Sequence, residues 1–196
     1  MPLDSKASLQ RFFTIHELLE APDLARFYTD VLVHSPTTIT VTSERQGLPK
    51  RTSNEYAHTL AELGIAEELD SSEDGTPLWR ANPVSGQWTS DGTVKLGPAI
   101  IAVYGATSVD DNLYRFMDRH GRAALMPAIL ATLEYLKGEA TRRGVSEMLD
   151  VPAVEGIAVS QAIEPILVVV KEYDALLNNI DFEVDTHPRT VELGPY

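Results

Sequence analysis

Residues 48–65 read LPKRTSNEYAHTLAELGI, and the order of residue types in this stretch organises the first half of the chain. Gly47-Leu48-Pro49 supplies a tight turn, because glycine permits the left-handed conformation that closes one helix and proline suits the first turn of the next. Lys50–Leu63 then carries Tyr56, Leu60 and Leu63 at i, i+4 and i+7, the spacing of a buried helical side, and Gly64 ends it. Upstream, Thr37 or Thr38 caps a short helix running through Ser43 to Gln46, with Ile39 and Val41 as its apolar positions. Downstream, Ile65–Leu69 predicts a strand, Asp70–Thr76 a polar turn, and Leu78-Trp79-Arg80 the returning strand. The order is helix, turn, helix, hairpin.

That order, together with the run Leu48-Pro49-Lys50-Arg51-Thr52, Tyr56 and Leu60-Ala61-Glu62-Leu63-Gly64-Ile65, resembles the recognition helix and following strand of winged helix-turn-helix transcriptional regulators common in archaea. The resemblance covers residues 38–81 and implies double-stranded DNA as the partner, with the second helix in the major groove. The outer side of that helix offers donors of the right chemistry: arginine suits guanine, asparagine suits adenine, and lysine and hydroxyl groups suit phosphates. Arg51, Asn54 and His58 are therefore expected to read bases, and Lys50, Thr52 and Ser53 to hold phosphates. Arg45 on the preceding helix and Arg80 at the base of the wing complete the expected contact set. The wing itself, Ser71-Ser72-Glu73-Asp74-Gly75, is acidic and short, so it is not expected to lie against phosphates.

The charge balance opposes this reading at first sight. Sixteen Lys+Arg stand against 29 Asp+Glu, a formal net charge of −13, where DNA binders usually carry a basic excess. Five of the sixteen are lysines and eleven are arginines. An acidic, lysine-poor chain resembles proteins of extremely halophilic archaea, and at molar salt a Debye length of about 3 Å leaves close contacts to decide. Within Thr38–Thr59 the balance is locally positive: Arg45, Lys50 and Arg51 against Glu44 and Glu55.

The remaining chain reads as mainly helical. Leu9, Phe12, Phe13, Ile15, His16 and Leu19 approach helical spacing; Phe12 and Phe13 are assigned to the core, with a dimer seam as the alternative. Asp23 opens a second pattern with Leu24, Phe27, Tyr28, Val31 and Leu32 on one face, ended by Ser35-Pro36. Residues 82–97, rich in Gly, Pro, Ser and Asn, predict a connector. Beyond it, helices are expected at 98–106, 110–120, 123–137, 141–149 and 152–177, the last kinked at Pro165. The expected organisation is a helical extension (1–22), a winged helix-turn-helix domain (23–83), a connector (84–97), a helical domain (98–178) and a tail (179–196).

Within the helical domain, laying Leu48-Pro49 over Val151-Pro152 also aligns Ser43-Glu44 with Ser146-Glu147, Leu60 with Ile163 and Leu63 with Ile166. This predicts a second unit of the same kind. Its outer side offers Ala153, Val154 and Ile157, so packing or dimerisation is expected there, not a groove. Arg142 and Arg143 are secondary phosphate candidates. Arg115, Arg119, Arg122, Lys137, Arg142 and Arg143 are expected to salt-bridge to Asp118, Glu134 and Glu139. Residues 98–175 resemble the uncharacterised helical domain that follows the winged helix in some halophilic archaeal proteins, which implies no known chemistry.

No cysteine is present, so disulfides and thiolate metal sites are excluded. No phosphate-loop, dinucleotide, nucleophile-elbow or HExxH signature occurs, and the five histidines lack ligand spacing. An enzyme is not expected, nor a metal or cofactor. The start, MPLDSKASLQRFF, lacks an apolar export segment; a cytoplasmic homodimer, reading two half-sites without a membrane, is expected. The rival expectation is a winged-helix protein-interaction module of a replication, plasmid or viral system, with no direct DNA readout.

Overall fold

A computed structural model of the chain describes residues 3–71, 75–89, 93–175, 177, 178 and 180. The chain is mainly α with a small β component, as the periodicity predicts. In order, α1 (Leu3–Glu20), α2 (Pro22–Val33), α3 (Ile39–Gln46) and α4 (Lys50–Glu62) lead into strands β1 (Ala66–Leu69), β2 (Leu78–Ala81), β3 (Gly86–Thr89) and β4 (Thr93–Leu96). Then follow α5 (Pro98–Ala106), α6 (Asp111–His120), a 3-10 turn at Arg122–Ala124, α7 (Leu125–Leu136), α8 (Arg142–Met148) and α9 (Ala153–Val170).

Helix α5 is apolar on every side, PAIIAVYGA, and all its residues from Pro98 to Gly105 are buried. A helix without a polar face must be enclosed, and α1, α2, α6, α7 and α9 enclose this one. The closest approach is to α2. A Cβ on Gly105 would sit 2.5 Å from the Arg26 amide nitrogen, so only glycine lets the two backbones cross there. At its other end α5 has no capping side chain of its own. Asp174, beyond α9 and buried, accepts a hydrogen bond from the Ala99 amide at 2.8 Å and supplies the missing cap from across the fold.

One hydrophobic cluster results, running from Ile15 and Leu18 through α2 and α5 to Val159, Ile163, Leu167 and Val170 of α9. Residues 23–83 and 98–178, expected as separate domains, share this cluster. Ala153–Tyr173 has the length and composition of a membrane span, with a mean hydropathy of 1.7; here α9 is the helix on which α5, α6, α7 and α8 pack, and it continues through Pro165.

Strands β1 and β2 pair antiparallel, Ala66 opposite Ala81 and Leu69 opposite Leu78, and Thr37 exchanges two backbone hydrogen bonds with Trp79 along the other edge of β2. The wing residues 72–74 fall outside the described residues. Just past β2 the chain is held by the hydroxyl of the fully buried Tyr28. Its hydroxyl donates to the Asn82 carbonyl (2.9 Å) and accepts from the Val84 amide (3.0 Å), and burial pushes its pKa well above the usual phenol range.

The stretch expected to be a connector holds a second hairpin. β3 and β4 pair antiparallel, Gly86 opposite Leu96 and Thr89 opposite Thr93. Composition hid it, because Gly, Pro and Ser dominate the stretch; the signals were Asp91-Gly92, a favoured hairpin dipeptide, and the Gln-Trp-Thr and Thr-Val-Lys runs on either side. Of the expected tail, 179–196, only Ile180 is among the described residues.

The helix pair α8–α9 repeats the local contacts of α3–α4 position for position. Thr38 caps α3 by accepting from the Val41 amide (3.2 Å), and Thr141 caps α8 by accepting from the Gly144 amide (3.0 Å). Gly47 (φ 61°) and Asp150 (φ 53°) both take the left-handed conformation, which aspartate tolerates better than most residues. The Leu48 amide then bonds the Ser43 carbonyl, as the Val151 amide bonds that of Ser146. A Cβ on Gly156 would sit 2.6 Å from Ser146 Cα, so α8 and α9 cross more tightly than a side chain allows.

Gly105→Ala should lower unfolding stability by about 2 kcal/mol or more, because overpacking forces the α2 and α5 backbones apart. Gly144→Ala is the control: its added methyl meets only Thr141 Oγ1 at 3.4 Å and Ala140 Cβ at 3.7 Å, and alanine's helix propensity should make it neutral to about 1 kcal/mol stabilising. Thermal and denaturant unfolding of the two variants check both.

Candidate nucleic-acid interface

The turn before α4 is built as its residues dictate. The Gly47 amide closes α3 on the Glu44 carbonyl (3.3 Å), the Ser43 hydroxyl donates to the Leu48 carbonyl (2.7 Å), and Pro49 stands at the cap position of α4. The helix buries Ser53, Ala57 and Leu60, with Tyr56 and Leu63 half-buried at the margin. The buried side is thus rotated from the expected Tyr56–Leu60–Leu63 line toward the small residues. Tyr56 still reaches α2, meeting the Phe27 ring edge-on at 5.8 Å between centroids.

Lys50, Arg51, Asn54 and His58 fall within about 100° of arc at the helical repeat, centred about 110° round the helix from the buried side. Arg51 is the most open, its side chain 91% exposed and held only by an i,i+4 pair with Glu55 (2.9 Å); such a pair contributes at most about 1 kcal/mol and yields readily to a better acceptor. Asn54 Nδ2 donates back to the Lys50 carbonyl at 2.9 Å. His58 is exposed, its ring edge-on to Trp79 at 5.9 Å, which ties this face to the β1–β2 hairpin. Thr52 is half-buried at the edge. Arg80 of β2 stands opposite Glu67 of β1 and pairs with it at 2.6 Å, half-exposed.

Three expected contacts are corrected. Ser53 is fully buried and its hydroxyl has no partner, so it faces the core and not a phosphate. Arg45 is a clamp. Its Nη2 and Nε bond the buried Asp30 carboxylate of α2 at 2.7 and 3.0 Å, and Nη2 also reaches Thr37 and Thr42. Gln46 adds a bond to Asp30 at 3.1 Å, so two neighbouring residues lock α3 to α2 through one acid. Sequence reasoning missed this because Asp30 is not part of the apolar pattern Leu24, Phe27, Tyr28, Val31 and Leu32 by which the burial of α2 was read. Arg142 is half-buried, its Nη2 bonded to Glu164 at 2.7 Å, its guanidinium stacked over Tyr135 at 4.5 Å and its Nη1 buried without a partner, so the group is turned into the fold and not toward a phosphate. Arg143 stays exposed beside Glu147.

The other arginines are engaged as expected, but with different partners. Arg115 pairs with Asp111, Arg119 with Glu155, and Arg122 with Glu20, whose carboxyl is held below its usual range by that guanidinium. Lys137 does meet Glu134 and Glu139. Among the described cations only Lys6, Arg11, Lys50 and Lys95 have no ionic partner. Lys50 therefore stands at the start of α4 with its charge uncompensated in an acidic chain.

Residues 107–172, from the end of α5 through α9, match a family of unknown function, DUF7437. The α3–α4 and β1–β2 elements lie outside the matched segment. No curated protein and no solved structure matches the chain.

Arg45→Ala should destabilise the fold by about 3 kcal/mol, because it leaves the Asp30 carboxylate buried with its main partner gone. Arg51→Ala, by contrast, should unfold within about 0.5 kcal/mol of the parent. Equilibrium denaturation of both variants at one salt concentration separates the clamp from the surface residue.

Proposed function

We propose that this chain is a sequence-specific DNA-binding protein of the winged helix-turn-helix kind, most simply a transcriptional regulator that acts as a homodimer. In this reading α3 and α4 are the helix-turn-helix, β1 and β2 the wing, and α4 enters the major groove. The observation that carries it is the outer face of α4: an unpaired lysine, an open arginine, an asparagine and a histidine share one side of a helix whose partner in the pair, α3, is locked to α2 by the Asp30 clamp. Arg51, Asn54 and His58 read base edges, while Lys50 and Thr52 hold phosphates, with Arg143 and Arg80 at most secondary. The α8–α9 pair, with Val154 exposed where α4 has Arg51, is architecture in this reading.

Arg51→Ala should weaken binding to the cognate site by about 1–3 kcal/mol, roughly five- to 150-fold, and relax the preference at one base position. Lys50→Ala should weaken all sequences alike and flatten the salt dependence. The measurement is anisotropy titration at molar KCl on a site taken from genome-wide occupancy in the source organism. A promoter-enriched map with the Arg51 effect supports the reading. Unchanged affinity in Arg51→Ala, or no enrichment at all, overturns it in favour of a protein-interaction module.

A further inference from the structure

Helix α1 is buried mainly through its second half, with strand β3 as a further neighbour. Its second half is buried through Thr14, Ile15 and Leu18 and tied down by Arg122, whose Nη1 donates to the Leu19 carbonyl (2.9 Å) and to Glu20 (2.7 Å). Every residue from Lys6 to Phe13 is exposed, and a cleft of about 630 Å³ separates this half from Leu63–Ile65 and Asn82–Ser85. Phe12 and Phe13, assigned to the core from sequence, are 40% and 58% exposed, and Leu9 is 54% exposed. The core assignment fails because both rings lie on the side of α1 away from the buried Thr14, Ile15 and Leu18.

The exposed apolar residues are not scattered. At about 100° per residue, Leu9, Phe12, Phe13 and His16 form one stripe, opposite the side that buries Thr14, Ile15 and Leu18. A two-turn stretch of helix whose outer side leaves Leu9 and Phe13 more than half exposed is marginal in water and marks a surface that is covered in use. The charges beside the stripe indicate what covers it. Lys6 and Glu17 flank the same edge, and neither has an ionic partner among the described residues.

We propose that α1 is the seam of the homodimer, pairing antiparallel with α1 of a second copy about a two-fold axis near Phe12 and Phe13. This rests on the functional reading above and deepens it by naming the surface that joins the two subunits. Antiparallel pairing brings like edges together. It sets Phe12 level with Phe13 of the partner subunit and Leu9 level with His16 of the partner subunit, and it places Lys6 within about 3 Å, along the axis, of Glu17 of the partner subunit. A parallel pair would bring opposite edges together and leave both charges facing the edge that carries Ser8 and Leu19. The isologous arrangement closes, as a two-fold interface must, and it uses both unpaired charges twice.

The test is the oligomeric state of the full chain by light scattering and sedimentation, at molar KCl and at the lowest salt at which it stays folded. Neither readout uses DNA, so failure here is separable from failure of the DNA-binding reading. The parent should be a dimer. Phe12→Glu with Phe13→Glu, or Leu9→Glu alone, should raise the dimer Kd about 100-fold or more with an unchanged helical circular dichroism spectrum, since the stripe lies opposite the side that α1 buries in its own subunit. At the lower salt Lys6→Glu and Glu17→Lys should each weaken the dimer several-fold, and the two together should restore it. A monomeric parent, or an unchanged dimer in both stripe variants, overturns the seam. A double charge reversal weaker than either single one overturns the antiparallel register.

Discussion

Everything in this fold is arranged around a helix that has no side to show to water. Because α5 is apolar all round, it must be surrounded, and because Gly105 has no side chain, α2 crosses it backbone to backbone. That crossing joins the halves of the chain. On one side α2 carries the Asp30 clamp that positions α3, and hence α4; on the other α5 packs on α9. The N-terminus of α5 depends on Asp174 from the far end of the described chain, so the last segment closes the first contact.

Electrostatics in this chain is a matter of allocation. With 29 acids and 16 bases, most cations are used internally, each tying elements together: Arg45 holds α3 on α2, Arg122 holds α1 on the 3-10 turn before α7, and Arg142 holds α8 on α9. A basic residue is then informative when it is left over. Lys50 is left over on the face of α4, and Lys6 on the first half of α1. The proposed DNA contact and the proposed seam each rest on a charge that the fold does not spend.

The two helix pairs show how one backbone device serves two ends. Threonine cap, left-handed turn and small-residue crossing recur in α3–α4 and α8–α9. Their exteriors diverge: Lys50, Arg51 and Asn54 in one, Ala153, Val154 and Ile157 in the other. The tighter crossing belongs to the second pair, where Gly156 lies against Ser146, as suits a pair built into the core.

What the sequence alone determined was local. The turn at Gly47-Leu48-Pro49, the Thr38 cap, the break at Gly64 and the parallel between the two helix pairs all follow from residues within a few positions of each other, where backbone preference is written in residue type. Tertiary structure decided which face of each element meets which partner. Ser53 turned inward because α4 packs through its small residues, Arg45 became a clamp because Asp30 is buried opposite it, and Phe12 and Phe13 missed the core because they lie on the side of α1 away from Thr14, Ile15 and Leu18. The β3–β4 hairpin fell between: its Asp-Gly dipeptide was legible, but a short polar strand is stabilised by its neighbours, here α1 and α5, and not by its own composition. Contacts between residues far apart in the chain carry no periodicity, so burial and pairing at a distance had to come from the fold itself.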